Sequence, residues 1–164
     1  MGVFQSALIL SAFLCSLVAG FLFAYAIVVM PGIKYLNDKE FIRTFQVTDR
    51  IIQNNHPIFM LVWVGSAIAI IVSAVYGIGR LAGVDFFLLA LAAFAYVLGV
   101  QVPTIAIHLP LNNKLQTLDV DVMNEIDIKV ARSDFESRWN TSNLIRTAIA
   151  SCVSALLIIL LFRL

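Results

Sequence analysis

Charged residues are scarce in this sequence. Asp, Glu, Lys and Arg make up 13% of its 164 residues, whereas 61% are hydrophobic. A water-soluble domain of this length cannot hide so much apolar surface, because small domains leave a large share of their area exposed. The eleven basic and ten acidic residues nearly balance, so the strong positive charge typical of nucleic-acid-binding proteins is also missing. The composition therefore indicates a protein embedded in lipid.

Residues that bind metals or act as nucleophiles are scarce as well. Cys15 and Cys152 show no CxxC spacing, and we expect both to be apolar fillers rather than a redox pair or metal ligands. His56 and His108 fall short of the three or four ligands of a usual metal site. Glycine-rich phosphate loops, GxSxG elbows and dinucleotide fingerprints are absent. The sequence thus predicts neither a metal nor a cofactor.

Four long apolar segments predict transmembrane helices over about residues 3–30, 57–79, 86–107 and 142–163. About 20 helical residues cross a hydrocarbon layer of roughly 30 Å. The predicted fold is all-α, an integral membrane four-helix bundle, and residues 1–164 form one transmembrane domain. The first segment has no basic region and stays apolar beyond its candidate cleavage site, so we expect a retained helix rather than a signal peptide.

Local signals predict where several helices begin and end. Met30-Pro31-Gly32 should stop the first helix, and Asn37 with Glu40 should cap a short helix in the loop that follows. Ser133 and Glu136 form a capping box, which predicts that the fourth helix starts there and leaves the membrane as a stalk. Residues 126–130 alternate like a strand but also fit helical spacing, and we favour a helix.

Two long loops lie between spans one and two and between spans three and four. Nine of the eleven basic residues lie in or beside them. Because basic residues favour the cytoplasmic side, we predict that both loops are cytoplasmic and both termini external. The first loop also carries apolar residues among charged ones, a pattern suited to a helix at the membrane interface. Both loops should share one membrane face and be partly helical.

Small residues recur at every fourth position in the first two spans. Because helices in lipid associate by close packing, these rows predict contact surfaces inside the bundle, with a homo-oligomer interface as the alternative. The first row is Ala12, Ser16, Gly20 and Ala24, and the second is Gly65, Ala69, Ser73 and Gly77.

Polar residues gather near the loop end of spans three and four. Three of them follow one face of the fourth helix at spacing i, i+4 and i+7, and a polar residue within a span needs an internal partner. Singly, the tryptophan could be an interfacial anchor and the arginine could reach lipid headgroups. Their convergence favours a binding or catalytic site. The candidates are Gln101, His108, Asn112, Trp139, Asn143 and Arg146.

The same residues carry a family resemblance. Met30-Pro31-Gly32, the HLPLN segment from His108 to Asn112, and the WxxxNxxRT pattern from Trp139 to Thr147 resemble the anthrone-oxygenase-like family of small membrane proteins. Many bacterial members of that family are known only as a domain of unknown function. The resemblance covers nearly the whole chain. One departure is His56, which separates an asparagine from Pro57 where the family more often has Asn directly before Pro, so its role stays open.

The resemblance implies oxidation of an anthrone to an anthraquinone by dioxygen without a recognised cofactor. His108 would then be the general base, because the ordinary pKa of imidazole lies near working pH. Arg146, assisted by Asn112 and Asn143, would stabilise the enolate and reduced oxygen. Trp139 would stack on a flat substrate. With Gln101 as a further binding residue, the expected partners are membrane lipids and a hydrophobic small molecule.

A second function class remains open. A non-enzymatic membrane protein could bind a lipid or hydrophobic small molecule, or assist a partner complex. Arg146 would then meet a headgroup, Asn112 would cap a turn, and His108 would hydrogen-bond to backbone. A small transporter is a third possibility, but the sequence lacks the broken helices and charged midplane residues that such proteins usually show.

Overall fold

The computed structural model describes residues 2–164, which contain helices but no β-strand. Four helical segments are long and apolar enough to cross a membrane, and an amphipathic helix joins the first two. The predicted all-α bundle with four apolar spans is confirmed. The helices are α1 (Val3–Ile33), α2 (Asp38–Gln53), α3 (Pro57–Gly77), α4 (Gly83–Gln116) and α5 (Glu125–Arg163).

Helix α1 continues through Met30-Pro31-Gly32, so the predicted stop at this segment is wrong. A π-helical turn, Tyr25–Val29, precedes the proline, and the amide of Met30 donates to the carbonyl of Tyr25. In an ordinary α-helix the proline ring would clash with the carbonyl four residues earlier. The wider turn removes this conflict, and the helix therefore extends to Ile33.

A π-helical turn before a proline also occurs twice in α4. The π-helical turns Val97–Gln101 and Thr104–His108 are followed, two residues later, by Pro103 and Pro110. Because both prolines are accommodated in this way, α4 remains helical as far as Gln116. His108 consequently lies inside a continuous helix, whereas the apolar pattern had suggested an exit from the membrane beside it.

Helix α5 begins eight residues before the predicted capping box. The side chain of Asn124 accepts a hydrogen bond from the amide of Asp127 at 2.9 Å, and this cap starts the helix at Glu125. The predicted start at Ser133 is therefore wrong, and Glu136 instead pairs with a neighbouring arginine within the helix. The preference for helix over strand at residues 126–130 is confirmed, as is the Asn37 cap of α2.

The packing of α1 uses only part of the row of small residues that the sequence suggested. Ala12 is buried and Ser16 is half-buried, whereas Gly20 and Ala24 are exposed. Beside Ala12, Ser11 places its hydroxyl oxygen 2.9 Å from that of Ser73, across α1 and α3. The predicted internal contact surface is therefore confirmed only for the first half of the row, and a role in a homo-oligomer stays a prediction.

The second row, in α3, is confirmed as a packing surface because Ala69, Ser73 and Gly77 are buried. It faces α1 and α4, and the Ser66 hydroxyl lies 2.7 Å from that of Tyr96 across α3 and α4.

Cys152 differs from Cys15 in being exposed on the outside of α5, so only Cys15 fills the core as expected.

The two long loops form one layer at the same end of the bundle. Gln46 of α2 donates to the backbone carbonyls of Leu115 and Leu118 at 2.8 and 2.9 Å. Arg132 of α5 donates to the carbonyl of Leu36 and pairs with Asp38. These contacts hold α2 across the ends of α4 and α5. The membrane side on which this layer lies stays a prediction.

Candidate functional site

A cavity of about 550 Å³ lies where the loop layer meets the bundle, and all five helices contribute to its wall. Its volume falls in the range of about 300–1,000 Å³ that is usual for small-molecule sites. Most of the wall is apolar or aromatic, and Phe59 stacks on Trp63 with ring centroids 5.4 Å apart. The cavity therefore suits a flat hydrophobic molecule.

The structure brings most of the sequence-predicted site residues to this cavity. Asn143 stands behind the wall, buried, and contacts Arg146. His56 is exposed at the start of α3 and is not part of the wall. The residues that line the cavity are Gln101, His108, Asn112, Trp139 and Arg146.

The Arg146 guanidinium is buried, with 4% of the residue exposed. Its two terminal nitrogens donate to Thr104 Oγ1 and Asn143 Oδ1, each at 2.9 Å. Asn143 in turn donates to the carbonyl of Leu22 in α1 at 3.3 Å. Among residues 2–164, no carboxylate lies within 4 Å of this guanidinium. Arg146 is thus a buried cation without a counter-charge, an arrangement that costs free energy unless an anion binds.

Three buried side-chain atoms in the described part of the chain lack a hydrogen-bond partner: Gln101 Nε2, His108 Nδ1 and Arg146 Nε. All three belong to residues of the cavity wall. Buried polar groups in proteins are almost always hydrogen-bonded, so exceptions that cluster indicate a place where something else binds. Gln101 Nε2 and Arg146 Nε can only donate a hydrogen bond, whereas His108 Nδ1 can also accept one when its ring is neutral.

His108 is 2% exposed and is fixed by two contacts. Its Nε2 lies 2.9 Å from the hydroxyl oxygen of Ser142 on α5. Its ring meets the Trp139 ring edge to face with centroids 5.1 Å apart. The ring is therefore held in one orientation, with Nδ1 as the nitrogen left for another partner.

Trp139 belongs to the protein interior, and the interfacial-anchor interpretation is wrong for it because only 4% of the residue is exposed. Its Nε1 donates to Asn112 Oδ1 at 3.0 Å, and its ring packs on Phe45 and Tyr25. Arg146 is equally buried, so it does not reach out to lipid headgroups. Because both residues are buried, neither an interfacial anchor nor a headgroup contact explains them.

The sequence interpretation missed one titratable residue of the wall, Asp49 on α2, which is 2% exposed. Its Oδ1 accepts from Asn112 Nδ2 at 2.8 Å, and its Oδ2 accepts from Gln116 at 3.1 Å and Gln53 at 3.2 Å. Burial raises the pKa of this carboxyl group above its ordinary value, and the hydrogen bonds from the three amides oppose that rise.

One signal in the sequence could have identified Asp49. It follows Phe45 by four residues and Ile42 by seven, so it lies on the apolar stripe of an amphipathic helix. An acidic residue in such a stripe faces the interior rather than solvent. Within residues 2–164, no group of three His, Cys, Asp or Glu side chains is close enough together to hold a metal ion.

The comparisons with known proteins give one family. The sequence model of the family described as anthrone oxygenase matches residues 52–157. This range includes Gln101, His108, Asn112, Trp139 and Arg146, whereas Asp49 precedes it. No curated protein and no solved structure matches the chain.

The raised pKa of Asp49 predicts a pH-dependent stability difference. Because the folded pKa exceeds the unfolded one, the native state binds more protons between the two values, and stability falls as pH rises through that interval. Asp49→Asn should lack this decline. Thermal unfolding of both proteins in one detergent, from about pH 4 to about pH 7, measures it. Other carboxyl groups titrate in both proteins, so their contributions cancel when the two plots of stability against pH are compared. Parallel plots would contradict the prediction.

Proposed function

Because the chain belongs to the anthrone oxygenase family, we propose that it oxidises a hydrophobic phenolic or polycyclic substrate with dioxygen, without a cofactor, in the cavity beneath the loop layer. The observation that carries this proposal is the buried Arg146 guanidinium without a carboxylate partner. Membership alone does not assign an activity. The unpaired polar atoms in an otherwise apolar cavity give the proposal its chemical content.

The reaction requires a substrate that becomes a stabilised carbanion. An activated methylene group loses one proton, and the resulting enolate gives electrons to dioxygen and forms a carbon-bound peroxide. The peroxide takes up the first proton and becomes a hydroperoxide. Loss of the second methylene proton then breaks the O–O bond, forms the carbonyl group and expels hydroxide, which takes up that proton and leaves as water. One methylene and one dioxygen thus give one carbonyl and one water, so atoms and electrons balance.

Arg146 stabilises the negative charge that develops on the substrate oxygen. The cation is held in place by Thr104 and Asn143 before the substrate arrives, so little reorganisation is needed when charge appears. Its Nε–H is unpaired, and so is the Nε2 amide of Gln101. Together they supply two donors for an enolate or peroxide oxygen, and Asn143 acts by positioning the guanidinium.

His108 removes the proton from the substrate carbon. In the tautomer that carries hydrogen on Nε2, the ring donates to Ser142 Oγ at 2.9 Å and leaves Nδ1 free to accept. The proton that His108 takes at Nδ1 returns to the peroxide oxygen, so the imidazole is neutral again when the second proton is removed. A short-lived imidazolium suits a base that contacts the same Trp139 ring as the Arg146 cation.

The aromatic wall that stacks on the substrate differs from the one expected from the sequence. Trp139 is packed on several aromatic rings and uses its Nε1 for Asn112, so it supports the site from behind. Phe59 and Trp63 are only partly buried and nearly parallel, with 18° between their planes. We therefore give the stacking role to Phe59 and Trp63, and a positioning role to Asn112, whose amide already serves Trp139 and Asp49.

Removing the Arg146 charge should abolish most of the activity. With an anthrone, the purified protein in lipid nanodiscs should consume oxygen, and Arg146→Gln should lower kcat by roughly 100-fold or more. Arg146→Lys should keep part of it because a charge remains. Arg138→Gln, which alters an exposed arginine of the same helix, is the matched control. Wild-type activity in Arg146→Gln would refute the role, and binding without oxygen uptake by the wild type would favour a non-enzymatic binding protein.

His108 should be needed for removal of the proton. His108→Ala should lower kcat by roughly 100- to 10,000-fold, as expected for loss of a general base, and Ser142→Ala should have a smaller effect. A substrate with a deuterated methylene group should show a larger isotope effect in His108→Ala than in the wild type, because proton removal then limits the rate. Unchanged kinetics in His108→Ala would exclude it as the base.

A further inference from the structure

We propose that Asp49 forms a second polar subsite of the cavity, which accepts a hydrogen bond from a hydroxyl group of the substrate and thereby selects hydroxylated over unsubstituted ring systems. The inference rests on the proposed function, because it concerns the same cavity. The proposed function requires a ligand oxygen that carries negative charge at the Arg146 end of the cavity. The inference adds that the ligand carries a neutral hydrogen-bond donor at the Asp49 end. Both residues line the one cavity.

The hydrogen bonds of Asp49 leave room for one more donor. An ionised carboxylate offers about four lone-pair sites. Three are used, one by Asn112 on Oδ1 and two by Gln53 and Gln116 on Oδ2. Within residues 2–164, no lysine, arginine or histidine nitrogen lies within 4 Å of this carboxylate. Asp49 is therefore a partly satisfied acceptor in an apolar cavity, not a member of an ion pair.

The two polar ends of the cavity are separated along the bundle axis. Asp49 contacts Asn112, and Arg146 contacts Thr104, eight residues earlier in α4. Eight residues of helix correspond to about 12 Å. A flat fused-ring molecule can span this interval with a ketone oxygen near Arg146 and an outer-ring hydroxyl near Asp49. Its central methylene would then lie between the ends, on the side of the wall that carries His108.

The carboxylate at this position also limits which ligands fit. An anionic group at the α2 end would be repelled by Asp49, and a purely apolar ring edge would leave its remaining lone pair unpaired in a water-poor site. A phenolic or alcoholic hydroxyl satisfies it. Asn112 makes this end rigid, because its amide joins Asp49 to Trp139 through bonds of 2.8 and 3.0 Å. A fixed acceptor discriminates better than a mobile one.

The subsite can be tested by binding without turnover. The chain has two tryptophans, Trp63 and Trp139, and both line the cavity, so quenching of their fluorescence under strictly anaerobic conditions reports occupancy. The probes are anthrone and a hydroxyanthrone with one outer-ring hydroxyl remote from the ketone. The wild type should bind the hydroxyanthrone roughly 10- to 100-fold more tightly, as expected for a hydrogen bond to a charged acceptor.

The variants separate this subsite from the rest of the site. Asp49→Asn should reduce the preference to a few-fold or less, whereas the control Asp134→Asn, which removes an exposed carboxylate outside the cavity, should keep it. A preference retained in Asp49→Asn overturns the inference. Should that variant fail to fold, equal affinity of the wild type for the two probes overturns it as well. Wild-type oxygen uptake with both compounds at equal kcat/KM would leave the proposed function standing and remove the subsite. Absence of uptake with either compound would refute the function itself.

Discussion

The buried, unpaired positive charge of Arg146 is the constraint around which the loop end of this bundle is organised. Its guanidinium is held by Thr104 of α4 and by Asn143 of α5, and Asn143 is fixed in turn by a carbonyl of α1. Three transmembrane helices thus converge on one cation that no carboxylate neutralises within residues 2–164. Burial without a partner costs several kcal/mol even when the hydrogen bonds are good. In the function proposed above, an oxyanion of the substrate is the partner of this charge.

Proline and the π-helical turns shape the cavity that surrounds this charge. Each of the three turns starts six residues before a proline, and each places at least one residue in the cavity wall. Tyr25 comes from α1, Gln101 from the first turn of α4, and Thr104 and His108 from the second. Turns of this kind recur at functional sites because they redirect side chains that an uninterrupted α-helix would point elsewhere.

Features that depend on composition and periodicity could be predicted from the sequence. Helix ends could not be predicted where local signals favoured different ends. Apolar length predicted four spans, and the i, i+4, i+7 spacing predicted that Trp139, Asn143 and Arg146 share a face. The extension of α1 past Pro31 was not predicted, because proline ordinarily stops a helix, and the π-helical turn that accommodates this proline is seen only in the structure. The start of α5 was placed at Ser133 because that residue begins a capping box, whereas Asn124 caps the helix in the structure. Tertiary contacts of Arg132 with Asp38 and with the carbonyl of Leu36 favour the longer helix. The apolar stripe of α2 could have identified Asp49, but not its partners, because Asn112 and Gln116 lie more than 60 residues away in the sequence.

Whether this cavity stabilises the enolate of its substrate can be read from the absorption spectrum of a bound anthrone under anaerobic conditions. The enolate of an anthrone absorbs at longer wavelength than the keto form. We expect wild-type protein at neutral pH to produce the enolate band and Arg146→Gln not to produce it, and we expect the band to disappear as the quinone forms once oxygen is admitted. A bound ligand that keeps the keto spectrum in the wild-type protein, with no change when oxygen is admitted, would show that the cavity does not stabilise the enolate.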